Sequence, residues 1–394
     1  MKSSDKITAR GVFQVAYRPN YCFKCDAPIK SPSWQQNGKV VDLYQGTCPT
    51  CYGSAKSTVR NVLCMTGTPI INKPQELFSM LFLKDRYMFP SENTFLRDYC
   101  YQAAPNKWRF QPGGLPRLTK KMSEFFLQRT REDAGIHVPP PAIRVYEVDK
   151  DLIKYHKQYA AEKTIQEKAA LLLEDGTRKD IFFVLELILR ERQCMTWPAG
   201  IKITNPETKE VLCHFDVMES QKLDEATELA TDLLEEEERV IVFSQFKAPL
   251  YEMERRVKAL GYKTTMATGD QPSYVKERIR MDFDLKTAPT EPRFNICFAT
   301  FKAFGTGVNL NAARHMIILD DEWSPGMEDQ AIGRIDRLNS VDQANVHIFR
   351  VKDSIDSFMA KIIKEKRGIV EGFETGFETN QFDELSKYFL KEDE

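Results

Sequence analysis

No stretch of the 394-residue sequence is long and apolar enough to suggest a membrane span. The longest apolar run, Ile181 to Leu189, is broken by Glu186 and falls far short of the roughly 20 residues a membrane helix needs. Met1 to Arg10 lacks the apolar core of a secretory signal, so the expected location is cytoplasmic or otherwise intracellular, nucleoid and nucleus included. An excess of one charge is also missing: 56 Lys and Arg stand against 57 Asp and Glu, a net charge of -1. That balance neither calls for nor excludes a nucleic-acid partner, because a basic groove can be offset by acidic surface elsewhere. Histidines are few and scattered, with no H-E-x-x-H spacing, and His315 and His347 fall at strand starts where a structural role is expected. What is present is 42% apolar residues over a length sufficient for two or three packed domains.

Nine cysteines without a secretory signal point to a reducing compartment, where a cluster holds metal more readily than it forms disulfides. Cys22-Phe-Lys-Cys25 and Cys48-Pro-Thr-Cys51 are two C-x-x-C knuckles separated by a turn-rich segment. That pattern suits a tetrahedral four-thiolate Zn²⁺ site of ribbon type, which leaves no open position and is therefore structural. Cys64, Cys100, Cys194, Cys213 and Cys297 occur singly in apolar or helical surroundings and read as small core residues. Tyr21, Phe23, Lys24, Trp34, Lys39 and Tyr44 either stack and pair with a nucleic acid or pack the ribbon onto its neighbour.

Beyond the ribbon, Val62-Leu63-Cys64-Met65 reads as a strand, Thr66-Gly67-Thr68-Pro69 as a turn, and the apolar spacing from Glu76 to Phe82 as a helix. Pro139-Pro140-Pro141 excludes helix and marks a hinge. Asp151 to Arg192 suits a pair of linking helices. From Asp224 helix and strand alternate: strands at Val240 to Phe243, Tyr262 to Ala267, Phe294 to Thr300, His315 to Asp320 and Val346 to Val351, with helices between them. Strict alternation is the pattern of an open, largely parallel α/β sheet, whose ligands sit at the carboxyl ends of the strands.

In Gln330-Ala-Ile-Gly333-Arg334-Ile-Asp-Arg337 the glutamine and both arginines fall at i, i+4 and i+7, one face of a helix. Two guanidiniums on one stripe make a clamp for phosphate oxygens, or else a solvated basic face. Gly333 costs that helix about 1 kcal/mol relative to alanine, which suggests a close approach to the backbone. The preceding loop, Thr300 to Leu310, carries Gly305 and Gly307, as a backbone lying against a phosphate or ribose requires.

In order and spacing, Val242 to Phe246, Thr268-Gly269-Asp270 with Arg278 and Phe283, Gly305 to Leu310, Asp321 to Pro325 and Gln330 to Arg337 resemble the second RecA-like lobe of Swi/Snf-type helicase-related ATPases. Thr66 to Ile70, with Asn72, Glu76, Leu77 and Phe82-Leu83, resembles that family's coupling motif, and Leu127 to Asp133 and Leu189 to Cys194 its connecting region. The resemblance implies a division of labour. Arg337 would be the arginine finger of phosphoryl transfer, Arg334 a second γ-phosphate contact, and Gln330 would place the nucleotide or the attacking water. Gly305, Gly307 and Asn309 would bind ATP; Thr66, Gly67, Thr68, Ser244, Gln245, Thr300 and Lys302 would meet the sugar-phosphate track, by family likeness duplex DNA.

The sequence departs from the family in two places. Leu338-Asn339-Ser340 replaces the Ile-Gly-Gln that usually ends the arginine helix. More seriously, neither a P-loop, G-x-x-x-x-G-K-[ST], nor an Asp-Glu strand end precedes the coupling motif. The expected protein is thus the carboxyl-terminal part of a DNA-dependent ATPase or translocase, inactive alone, with ATP and Mg²⁺ bound only alongside a second polypeptide that carries the P-loop, or else a truncated or degenerate copy. The expected α/β architecture is a ribbon over 1–58, a partial first lobe over 59–140, a helical linker over 141–222, a complete second lobe over 223–370 and a tail over 371–394. The alternative is a non-catalytic zinc-ribbon DNA-binding or regulatory protein that keeps the lobe as a scaffold. Protein purified without chelator should carry about one equivalent of zinc by elemental analysis, and less than about half an equivalent would contradict the four-thiolate site.

Overall fold

The computed structural model describes residues 17–22, 55–57, 63–65, 74–85, 87–104, 107–127, 135, 139–174, 181–204, 209–303, 309–337 and 343–371. It divides into two compact units, Met1–Leu127 and Gln128–Glu394. Among the described residues no helix is long and apolar enough to cross a membrane.

The first unit opens with β1 (Tyr17–Cys22) paired antiparallel to β2 (Ala55–Ser57), Tyr17 opposite Ser57 and Cys22 opposite Ala55. Cys25, Cys48 and Cys51 lie outside the described residues. The strand expected at Val62 to Met65 is not formed over 63–65: the backbone there is irregular, and Leu63 and Met65 are 84% and 85% exposed. No neighbouring strand among the described residues pairs with this segment, and an apolar run without a ladder partner has no strand to be. Cys64 is exposed with it rather than being the small core residue expected. α1 (Gln75–Lys84), α2 (Glu92–Tyr99), the hairpin β3 (Cys100–Ala104) with β4 (Lys107–Phe110), and α3 (Gly114–Met122) share one small core. Leu77, Phe78, Leu81 and Phe82 follow the helical period, so α1 buries one stripe against Phe95 and Leu118.

The second unit is an α/β lobe around a six-stranded sheet in which every pair is parallel. In chain order it comprises β5 (Ala142–Val148), α4 (His156–Glu174), α5 (Ile181–Thr196), a hairpin of β6 (Ile201–Thr204) and β7 (Val211–Phe215), and α6 (Gln221–Glu235). There follow β8 (Val240–Ser244), α7 (Lys247–Ala259), β9 (Thr264–Ala267), α8 (Ser273–Phe283), β10 (Ile296–Thr300), β11 (His315–Ile318), α9 (Pro325–Ile335), β12 (Asn345–Val351) and α10 (Ile355–Glu371). The strand order is β5-β12-β11-β8-β10-β9. β8 is central and buried at every residue, the unbroken apolar run expected of a strand covered on both faces. Val240 and Val242 point into the core shared with α4, α5, α6, α7 and α10, while Ile241 and Phe243 point into the one shared with α8 and α9.

The edge strand β5 comes from within the stretch expected to be a helical linker. Its pairing runs in register from Ala142 opposite Asn345 to Val148 opposite Val351. Ile143 and Val145 are 48% and 44% exposed, the half-covered state of an edge. Across the lobe Lys222, fully buried, pairs with Asp356 at 2.7 Å and fastens the first turn of α6 to that of α10.

The strand histidines form a partly buried chain in this sheet. Tyr146 Oη lies 3.0 Å from His347 Nδ1, and His347 Nε2 lies 3.1 Å from His315 Nδ1, with the two imidazoles stacked. Burial first, then the neighbouring charges of His315 and Arg144, push the pKa of His347 down from 6.5 to about 4, and burial also lowers that of His315. The unfolded chain therefore binds more protons than the native one between those values, and stability must rise with pH across that window. We expect the apparent Tm to hold above pH 6.5, fall as pH is lowered toward 4, and fall less steeply in His347→Gln; superimposable slopes for the two proteins would contradict the assignment.

Candidate nucleotide and nucleic-acid site

A parallel sheet offers a ligand crevice where adjacent strands send their following segments to opposite faces. β8 is followed by α7 on one face, and its neighbour β11 leads into α9 on the other. Their carboxyl ends, Ser244-Gln245 and Asp320-Asp321, therefore flank the switch point. Here the chain binds itself closely. The Asp320 carboxylate accepts the Ser244 hydroxyl and the Gln245 backbone N–H, the latter at 2.8 Å. The Gln245 side-chain amide donates to the Asp321 carbonyl at 2.5 Å, and Arg350 from β12 grips the Asp321 carboxylate through two bonds of 2.8 Å. Burial raises the pKa of Asp320, opposed by Arg192, the Ser244 hydroxyl, Lys222 and the Gln245 amide.

Of the residues expected on the sugar-phosphate track, Ser244, Gln245, Thr300 and Lys302 are brought together. Thr300 stands opposite Ser244 in the ladder, Phe301 stacks on Phe243 at 5.1 Å, and Lys302 is exposed beside Glu322. Ser244 is a correction to the expectation: its side chain is fully buried with the hydroxyl spent on Asp320, so it has no surface to offer a nucleic acid. Thr66, Gly67 and Thr68 lie outside the described residues.

The arginine group forms a second cluster. Gln330 and Arg334 lie one turn apart on α9 and are half-buried. Arg337 does not continue their stripe. α9 ends at Ile335, and the cap residue Asp336 takes a ψ of 88°, which turns the chain out of the helix. The Arg334 carbonyl, which a longer helix would offer to residue 338, instead accepts the backbone N–H of Leu310 at 3.0 Å. The same bond joins the end of the glycine-bearing loop to the arginine helix. Gly305 and Gly307 fall outside the described residues, whereas Asn309 turns its side-chain amide to Asp284 at 3.1 Å and so fastens the loop to the end of α8. Burial, and next the charge of Arg337, lower the pKa of Arg334. At Gly333 a methyl group would meet nothing among the described residues, so packing within the lobe does not require the glycine.

Three residues of the crevice carry more of its architecture than sequence reasoning assigned them: Asp320, Arg350 and Arg192. The Asp320-Asp321-Glu322 triplet reads from sequence as an acidic box in the wrong lobe. The usable signal was physical: three successive acids at the end of an apolar strand need cations.

Residues 52–199 match the SNF2-related domain and residues 221–339 the helicase conserved C-terminal domain. Among curated proteins, the chain is 24% identical to Protein CHROMATIN REMODELING 5 of Arabidopsis thaliana over 78% of its own length and 18% of that protein's. It is 25% identical to Chromodomain-helicase-DNA-binding protein 7 of Homo sapiens over 83% and 11% of the two lengths. A shorter match, 35% identical over 35% of the chain and 12% of the relative, is to DNA repair protein RAD5 of Saccharomyces cerevisiae. The chain therefore spans between about a tenth and a fifth of the length of these relatives. In fold it is similar to the solved C-terminal part of the Fun30 ATPase domain, with a TM-score of 0.50, 20% identity, and coverage of 65% of this chain and all of that one.

Proposed function

We propose that this chain, a Swi/Snf-type helicase-like protein with a SNF2-related domain followed by a helicase C-terminal domain, is the arginine-finger half of an ATP-driven motor that tracks duplex DNA. The observation that carries the reading is the Arg334 and Arg337 pair, held within one another's field at the end of α9 and bonded through the Arg334 carbonyl to the glycine-bearing loop. Arg337 is the finger that neutralises charge developing on the transferred phosphoryl group, Arg334 supports the same oxygens, and Gln330 places the nucleotide or the attacking water. Gly305 and Gly307 give the loop room to close on the nucleotide, with Asn309 holding its base. The phosphate cradle and the Mg²⁺ ligands come from outside these 394 residues.

DNA lies along Gln245, Thr300 and Lys302, while Ser244 acts from beneath by fixing Asp320; Thr66, Gly67 and Thr68 are further DNA contacts. A relative named as helicase-DNA-binding supports DNA as the track. For the ribbon, the antiparallel pairing of Cys22 with Ala55 brings the two ends of the cysteine-bearing segment together, which supports a structural four-thiolate zinc through Cys22, Cys25, Cys48 and Cys51.

DNA-stimulated ATP hydrolysis should appear once the chain is assembled with the P-loop-bearing part of the motor and drop about a thousandfold in Arg337→Ala, the scale of a lost arginine finger. Hydrolysis unchanged by that substitution would sink the finger assignment. Duplex binding without any hydrolysis in the assembled protein would favour the non-catalytic zinc-ribbon scaffold instead.

A further inference from the structure

α5 carries one side chain into the switch-point crevice. Arg192 is 6% exposed, and its Nη2 donates to the Asp321 carbonyl at 2.7 Å. That carbonyl is the one that also accepts the Gln245 amide, so its two lone pairs join the connecting helix to the loop after β8. The guanidinium lies over the Phe246 ring, 5.9 Å from its centroid, and its charge reaches the buried Asp320 and Glu322. One buried cation thus touches the loop that carries Gln245 and the strand end that leads into α9. Lysine could hold the charge but not the planar fork that bonds the carbonyl while stacking on the ring.

We propose that Arg192 is a positioning residue that sets the Gln245-Phe246 loop against the Asp320-Asp321 strand end, so that α5 governs how the loop meets DNA. The inference rests on the motor reading, in which that loop is a DNA contact.

The test is binding of a fluorescein-labelled DNA duplex to the full 394-residue chain by anisotropy over a salt series. Arg192→Lys is compared with Arg239→Lys. Arg239 is the control: half-buried, paired with the Asp282 carboxylate at 2.6 Å, bonded to the carbonyls of Asp282 and Phe294, and stacked over Phe283 at 4.1 Å, but at the amino end of β8, away from the crevice. The expected result is an affinity about tenfold weaker for Arg192→Lys only, the size of a lost charged hydrogen bond. The slope of log K against log salt should match wild type, because a buried arginine neutralises no phosphate.

A slope reduced by about 1 would make Arg192 a direct phosphate contact and overturn the positioning role. Equal losses in both variants would reduce the effect to destabilisation and overturn it too. Wild-type affinity in Arg192→Lys would overturn it while leaving the motor reading intact, whereas no duplex binding by the wild-type chain would bring down both. Should Arg192→Lys not fold, Phe246→Leu removes the stacking partner alone. A loss smaller than tenfold with an unchanged slope supports the assignment, and wild-type affinity contradicts it.

Discussion

Asp320 is a carboxylate almost entirely removed from water at the point where the connections leave for opposite faces of the sheet, and the geometry of the lobe's working edge follows from satisfying it. A buried anion is tolerated only when donors surround it. Those donors are the Ser244 hydroxyl and the Gln245 amide, with Arg192 and Lys222 adding positive charge nearby. Each comes from an element adjoining the crevice, so satisfying one carboxylate aligns the end of β8, the end of β11 and the connecting helix α5. The next residue repeats the device, since Asp321 takes Arg350 on its carboxylate and Gln245 and Arg192 on its carbonyl.

This self-contained edge leaves two surfaces for partners. Thr300, Lys302 and the Gln245 loop lie at the strand ends, and Gln330 with the two arginines lies along and just beyond α9. They are joined through covalent structure, since Asp320 to Glu322 runs directly into α9, and through the bond from Leu310 to the Arg334 carbonyl.

Much of the lobe was legible in the sequence because strands and helices alternate and the central strands are apolar throughout, as Val240 to Phe243 shows. The arginine helix was legible by period, but its end was not: the bond that stops it comes from Leu310, distant in sequence, and no local signal marks it. β5 was hidden because an edge strand half-exposes Ile143 and Val145 and shows no clean alternation. Ser244 looked like a polar contact because sequence shows that a residue is polar but not which way it faces. The exposed segment over 63–65 failed as a strand for the converse reason, since apolar composition cannot supply a pairing partner.

The central claim is that Arg337 completes an ATP site whose phosphate cradle lies outside these 394 residues. The most direct measurement is a structure of the assembled protein trapped with duplex DNA and a transition-state analogue of the γ-phosphate. The account predicts the Arg337 guanidinium within about 3 Å of the analogue's oxygens, the distance of a charge-assisted hydrogen bond. An Arg337 turned away from the nucleotide in that closed state would contradict it.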